Sequence, residues 1–312
     1  AMFPSGCPSG LAALISPESA TDAAQGLHAL IAKSLAHPRP VDSLYVEMLE
    51  TTRAFAFDCL VAADEVEQTR SMMLAYAVAL VSDAAEHLAG REQGSWLDRL
   101  DTEHDTLRAA LGTSIECVDA DAALALAGNL WRYWWSRGYL TEGRSWLEQA
   151  LQVPGEVSPE RRALALSGAA SLAESQGDFA QAVAFHEQAL VLWQAARDLQ
   201  GEARAWSGLG TAAAHRGDFA EARSHHDHAL QLSRAAYDLP GTARTLDRLG
   251  TLARHEGNLA AAEAAYAESL ALFRELGDLV NASIVLSNLG EVLHRHGESA
   301  RAAEHFEEAL RL

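Results

Sequence analysis

The sequence predicts an all-α fold, a superhelix of antiparallel helix pairs that repeats about every 40 residues. Three observations carry that prediction. Gly177-Asp178-Phe179, Gly217-Asp218-Phe219, Gly257-Asn258-Leu259 and Gly297-Glu298-Ser299 recur at one constant interval, and a looser copy, Gly138-Tyr139-Leu140, precedes the first of them at one residue short of it. Each of the four opens an Ala/Leu-rich run that ends in a small residue followed by leucine: Ala189-Leu190, Ala229-Leu230, Ser269-Leu270 and Ala309-Leu310. Seven residues before the turn glycine come Leu209-Gly210, Leu249-Gly250 and Leu289-Gly290. A helix, a tight turn and a second antiparallel helix satisfy all three, with small residues where the two helices cross and large ones between repeats.

Taken in order, residues 1–63 form one unit, 64–118 a helical linker, 119–152 a Trp-rich first repeat and 159–312 four regular repeats. Within the first unit, Leu11 to Ile15 read as a short helix or loop, and Ser16-Pro17-Glu18 supplies the start of a helix carrying apolar residues at helical spacing from Ala20 to Ala36. His37-Pro38-Arg39-Pro40 ends it. Leu44 to Leu49 read as a strand, paired in a hairpin with Ser34-Leu35-Ala36, or as a buried helix start. Helices are then predicted over 51–63, 65–89, 95–113 and 119–136, with Gly90 and Gly94 marking a bend. Pro154-Gly155 is a turn signal inside the spacer 153–159, and Ser158-Pro159-Glu160 starts the next helix.

Composition bounds the function. Of the 312 residues 49% are hydrophobic and 21% charged, the balance of a globular chain. A formal charge of −19 argues against a broad nucleic-acid or anionic-membrane surface and leaves room only for a local basic patch. Cys7, Cys59 and Cys117 lie far apart with no metal-ligand or redox spacing, which reads as reduced thiols. With no apolar run of membrane-spanning length and no basic start of a signal peptide, the expected location is the cytoplasm. Ala1-Met2 and a stop at Leu312, inside the second helix of the last repeat, read as the ends of a piece of a longer protein.

The repeat resembles the tetratricopeptide repeat, a right-handed superhelix, with Trp206, Leu209, Gly210, Gly217, Ala222, His226 and Ala229 on its pattern positions. It departs at the usual first-helix aromatic, here Ala213 or Ala253, and in length: six residues beyond the usual 34, which we assign to a longer second helix. Leu27 to Leu35 and Met48 to Ala56 resemble the end of the winged-helix segment that follows the nucleotide-binding module in bacterial signal-transduction ATPases with numerous domains. Trp96 to Leu100, Glu103 to Leu111 and Leu130 to Trp135 resemble the helical linker those proteins carry before their repeats. The resemblance implies a cytoplasmic regulator, often transcriptional, whose repeats receive a signal. No phosphate-binding loop accompanies it: Lys33-Ser34 is the one candidate pair, and Leu27 and Ala32 occupy the two positions that require glycine. ATP hydrolysis and DNA reading are therefore not assigned to this chain.

No nucleophile stands beside a base and an orienting acid. Adjacent carboxylates such as Glu307-Glu308 point to different faces of a helix. His225 and His228 could approach one ion, but no third ligand is placed by spacing, and His226 matches His186, Tyr266 and Phe306 in register as the repeat's packing aromatic. No catalytic residue, cofactor or metal is predicted. Trp131 and Trp134 occupy packing positions, whereas Trp135 falls on the inner groove; core filling and ligand contact both stay open for this cluster. In register, the resemblance places on the concave face Arg132 and Trp135, then Ser167, Ser171 and Glu174, then Arg204, Ser207, Thr211 and His215. The fourth unit adds Arg244, Asp247, Arg248, Thr251 and Arg254, and the fifth Asn288, Glu291, His294 and Arg295. Arginines gather there in an acidic chain; they bind carboxylates or phosphates through paired N–H donors, or they pair with Asp247, Glu291 and other acidic neighbours. The expected function is a non-enzymatic sensing and interaction module whose groove takes a protein, a peptide or a small anionic effector. A self-assembling scaffold, forming a homodimer, and a metal-dependent enzyme built on the histidines are the alternatives.

Overall fold

The computed structural model describes residues 2–4, 6–8, 20–38 and 45–312. Strands β1 (Cys7–Pro8), β2 (His37–Pro38) and β3 (Tyr45–Glu47) form an antiparallel sheet in the order β1-β3-β2, Val46 pairing with both Cys7 and Pro38. Two expectations are corrected here. Helix α1 (Ala20–Ala32) stops four residues before Ala36, because Ser34 turns left-handed at φ 57°, and β3 pairs with His37–Pro38 rather than with Ser34-Leu35-Ala36. Pro38 fits an edge strand, where a missing N–H costs no ladder bond. The predicted segment at Leu11 to Ile15, the Ser16-Pro17-Glu18 start, Arg39-Pro40 and Leu44 lie outside the described residues.

Helix α2 (Glu50–Ala62) follows the sheet, and the linker comprises α3 (Val66–His87), α4 (Gln93–Thr102) and α5 (His104–Glu116). The single helix predicted over 95–113 is two, divided at Glu103. That residue is wholly buried, and its Oε1 accepts hydrogen bonds of 2.6 Å from both Tyr45 Oη and Tyr76 Oη. One carboxylate thus ties the small sheet, α3 and the α4–α5 junction together.

Five helix pairs follow: α6 (Ala120–Arg137) with α7 (Leu140–Gln152), α8 (Pro159–Ser175) with α9 (Phe179–Ala196), and α10 (Leu199–Arg216) with α11 (Phe219–Ala235). The last two are α12 (Leu239–His255) with α13 (Leu259–Leu276), and α14 (Leu279–Arg295) with α15 (Ser299–Arg311). From α8 to α14 every helix has 17 or 18 residues, so the extra length of the unit is not confined to the second helix as expected. The turn glycines 177, 217, 257 and 297 hold φ between 78° and 88°, the left-handed region that closes a helix and disfavours a side chain.

Close approach explains the second set of glycines. His226 and Tyr266 are buried; a Cβ on Gly210 would lie 2.7 Å from the His226 ring, one on Gly250 2.8 Å from Tyr266, and one on Gly290 2.8 Å from Phe306. The missing side chain on the first helix is the socket for the aromatic of the second. Burying such a ring contributes on the order of 2–3 kcal/mol.

The core has two main bodies. One runs from Phe3 and α3 through α5 to Ala205 on α10, the other spans α12 to α15, and between them lies a small cluster of Ala213, Ala222 and Leu252. The superhelix curls until the α3–α4 turn meets the α13–α14 turn: a Cβ on Gly277 would lie 2.5 Å from Arg91 Cγ, and one on Gly90 3.6 Å from the Leu276 carbonyl oxygen. Among the described residues no helix is long and apolar enough to cross a membrane.

Candidate functional site

The first helix of each pair faces the inside of the curl. Because the repeat interval is constant, positions that share a register on α6, α8, α10 and α12 stack along one inner wall. The result is a cavity of about 380 Å³ that gathers Arg132, Arg204, Arg244 and Arg248 with Trp135 and Asp247. Leu88 and Gln93 of the linker close one side, and Asp278, Val280 and Asn281 of α14 and its cap close the other.

The arginines differ in their partners. Arg248 Nη1 donates to Thr211 Oγ1. Arg132 places its guanidinium 4.9 Å from the Trp131 ring centroid and, like Arg204 and Arg244, takes part in no ion pair or hydrogen bond among the described residues. Burial first, and then the charges of Arg244 and Arg204, lower Arg132 to about 9; burial and then Arg204 lower Arg244 to about 10, and burial lowers Arg204 as well. All three remain in contact with groove solvent while protein surrounds them, so they are partly desolvated cations; Asp238 attracts all three through space and Asp278 attracts Arg132 and Arg244, but none forms a direct ion pair among the described residues.

The carboxylates nearby are engaged elsewhere. Glu174 Oε1 lies 2.9 Å from His186 Nε2, and Asp247 Oδ1 accepts from Asn288 Nδ2 at 3.1 Å. Asp238 accepts from the Gly241 N–H at 2.9 Å, and Asp278 from the Asn281 N–H at 3.1 Å and from Asn281 Nδ2 at 2.7 Å. Burial raises the Asp247 carboxyl, against the bond from Asn288 and the nearby Arg248 and Arg254.

Not all predicted groove residues meet in this cavity. His215 stacks on Phe179 with ring centroids 3.9 Å apart and lines an adjoining compartment of about 340 Å³ with Thr211, Arg248 and Thr251. Arg254 and Arg295 both pair with Glu291, at 2.9 and 2.8 Å, so the ion-paired alternative holds for these two arginines. Asn288 is tied to Asp247, and His294 is exposed outside the cavity lining. Trp134 is buried, as its packing position requires, while Trp135 is 43% exposed in the cavity with its Nε1–H donated to Ser175 Oγ at 3.1 Å. His226 is packed as predicted and burial holds it down to about 3, whereas His225 and His228 lie around Trp206. Among the described residues no three His, Cys, Asp or Glu side chains come together as metal ligands.

Sequence reasoning missed one periodic feature of the site. Asp198, Asp238 and Asp278 cap α10, α12 and α14, recur at the same interval as the turn glycines, and each precedes leucine. Their regular spacing was the available signal. Asp238 acts through space on Arg132, Arg204 and Arg244.

Two stretches, 201–275 and 242–312, match a family model described as tetratricopeptide repeat, and residues 165–198 match a second with the same description. No curated protein matches the sequence. Among solved structures, the apo form of RapI is 11% identical and superposes over 70% of this chain and 94% of its own with a TM-score of 0.52. Aspartyl phosphate phosphatase F from Bacillus subtilis is 11% identical over 81% of this chain and 74% of its own, TM-score 0.53. BtubC (BKLC) from P. vanneervenii is 20% identical over 76% of this chain and 90% of its own, TM-score 0.49. At 11% identity the first two establish the superhelical fold and nothing finer.

Proposed function

We propose that this chain, tetratricopeptide repeats over residues 165–198 and 201–312, is a recognition module whose arginine-lined groove binds a protein, a peptide or a small anionic effector. The observation that carries the reading is the trio Arg132, Arg204 and Arg244: three guanidiniums drawn from three separate repeats into one enclosed cavity, none of them ion-paired among the described residues. A charge-assisted bond in such a place contributes on the order of 1.5–3 kcal/mol, against about 0–1 for an exposed pair.

The linker then carries the signal. Tyr45 on β3, Tyr76 on α3 and the buried Glu103 form one hydrogen-bonded unit, and α3 packs against α6 of the first pair. A shift of the array reaches the small sheet through that carboxylate. We read the segment 1–63 as a winged-helix remnant and the whole as the receiving part of a cytoplasmic, transcriptional-type regulator of the signal-transduction ATPase class. The β1-β3-β2 sheet, with α1 and α2 next to its strands in the chain, supports that reading.

Screening an array of acidic peptides with free C-termini against wild type and the double variant Arg244→Glu, Arg248→Glu tests the groove. Binders of the wild type are expected to lose at least tenfold in affinity. Equal binding by both proteins removes the groove from the function.

A further inference from the structure

Arg132 belongs to the first helix pair, Arg204 to the third and Arg244 to the fourth, yet one cavity collects all three. The carboxylates that share this space are committed to His186, Asn288 and two helix N-termini, so none grips a guanidinium of the trio. A guanidinium does not give up its proton in a protein, so like charges face one another across the cavity. At about 380 Å³ the space suits a small molecule. Its two side walls, the α3–α4 turn and the start of α14, touch each other through Arg91 and Gly277, which favours a compact occupant over an extended chain.

The cavity also straddles the thin part of the core. Arg132 and Arg204 stand on helices of the first body, which reaches Ala205 on α10, and Arg244 stands on the body of α12 to α15; between them the core narrows to Ala213, Ala222 and Leu252. An anion held by all three bridges the two bodies and removes the repulsion that otherwise opposes the curl.

Resting on the groove reading above, we propose that Arg132, Arg204 and Arg244 together bind a compact oxyanion of at least two negative charges, of the phosphate or pyrophosphate type, and that this anion is the counter-ion that holds the superhelix closed. Paired N–H donors match such oxygens, and three of them on separate repeats distinguish a compact polyanion from a single carboxylate.

The test is calorimetric titration with pyrophosphate at constant ionic strength, on wild type and on Arg132→Gln, Arg204→Gln and Arg244→Gln, with thermal melts of each. The wild type is expected to bind one pyrophosphate saturably and to melt higher with it, each variant to bind at least tenfold more weakly. Without anion Arg132→Gln and Arg244→Gln are expected to melt no lower than wild type, since each loses a charge that neighbouring arginines repel. Arg204→Lys, which keeps the charge but not the planar fork, is expected to fall between wild type and Arg204→Gln. Hydrogen exchange in segments 88–93 and 276–281 is expected to slow with pyrophosphate in the wild type only. Absence of saturable binding, or binding by Arg204→Gln and Arg244→Gln as tight as by the wild type, overturns the oxyanion site; a peptide still lost by the Glu double variant would leave the groove reading standing. Saturable binding with unchanged exchange in both turns overturns the counter-ion role.

Discussion

His226 occupies a socket that Tyr266 and Phe306 fill in the next two repeats, and burial holds its imidazole at about 3, below the ordinary 6.5. Its Nδ1 has no hydrogen-bond partner among the described residues. Between those two values the unfolded chain takes up the proton and the folded chain does not. The stability tied to a neutral His226 is therefore complete above pH 6.5 and falls as the pH drops toward 3. Between pH 7 and pH 5 this group alone removes about 2 kcal/mol. His226→Phe, the ring type found at Phe306, is expected to fold and to lose that part of the decline, read by urea unfolding at the two pH values. An equal decline in variant and wild type would show that another group titrates. The histidine-as-packing reading was legible because register, not chemistry, defined the position. What register could not show was the pairing state of each arginine: Arg254 and Arg204 both fall on the inner face, and only the position of Glu291 separates the paired one from the free one.

Helix starts repeat as faithfully as the glycine turns, with unequal geometry. Asp238 accepts the Gly241 N–H at 2.9 Å, whereas Asp218 makes no capping bond with its side chain at the start of α11. Asp238→Ala is expected to cost about 1 kcal/mol and Asp218→Ala no more than about 0.5, compared by thermal melts. Equal losses would place the stabilisation in general electrostatics instead of the cap. Elements set by local periodicity, α6 to α15, were legible from the spacing of the turn glycines, to within a few residues at their ends. Strand β3 was legible within Leu44 to Leu49, but its partners β1 and β2 and the break at Glu103 were not. They depend on partners far apart in the chain, Cys7 with Val46 and Glu103 with Tyr45, and nothing in the neighbouring sequence marks such pairings.

At the scale of the whole molecule the defining contact joins residues far apart in the chain: Arg91 of the linker and Gly277 at the close of α13. Gly277 has φ 70°, and an added methyl there meets Arg91 Cγ at 2.5 Å, while Gly217 and Gly257, also left-handed, have open space around them. Gly217→Ala and Gly257→Ala are expected to carry only the backbone cost of about 1 kcal/mol. Gly277→Ala should cost more, and Arg91→Ala in the same chain should recover the excess; a double-mutant cycle by urea unfolding reads the coupling. A cycle that closes at zero would mean the two turns do not press on each other.

The same glycine gives the array a count. In register with Gly277 stand Arg197 and Tyr237, both left-handed and both carrying side chains, Tyr237 being 91% exposed. Those turns cannot take the place of Gly277 beneath Arg91. Repeats that look interchangeable along the sequence are thus not interchangeable as parts: the linker meets the one turn that lacks a side chain, and a duplicated or deleted repeat would present it with the wrong one. The position of a single hydrogen atom, where its neighbours in register carry arginine and tyrosine, fixes how many repeats stand between the linker and the turn it meets.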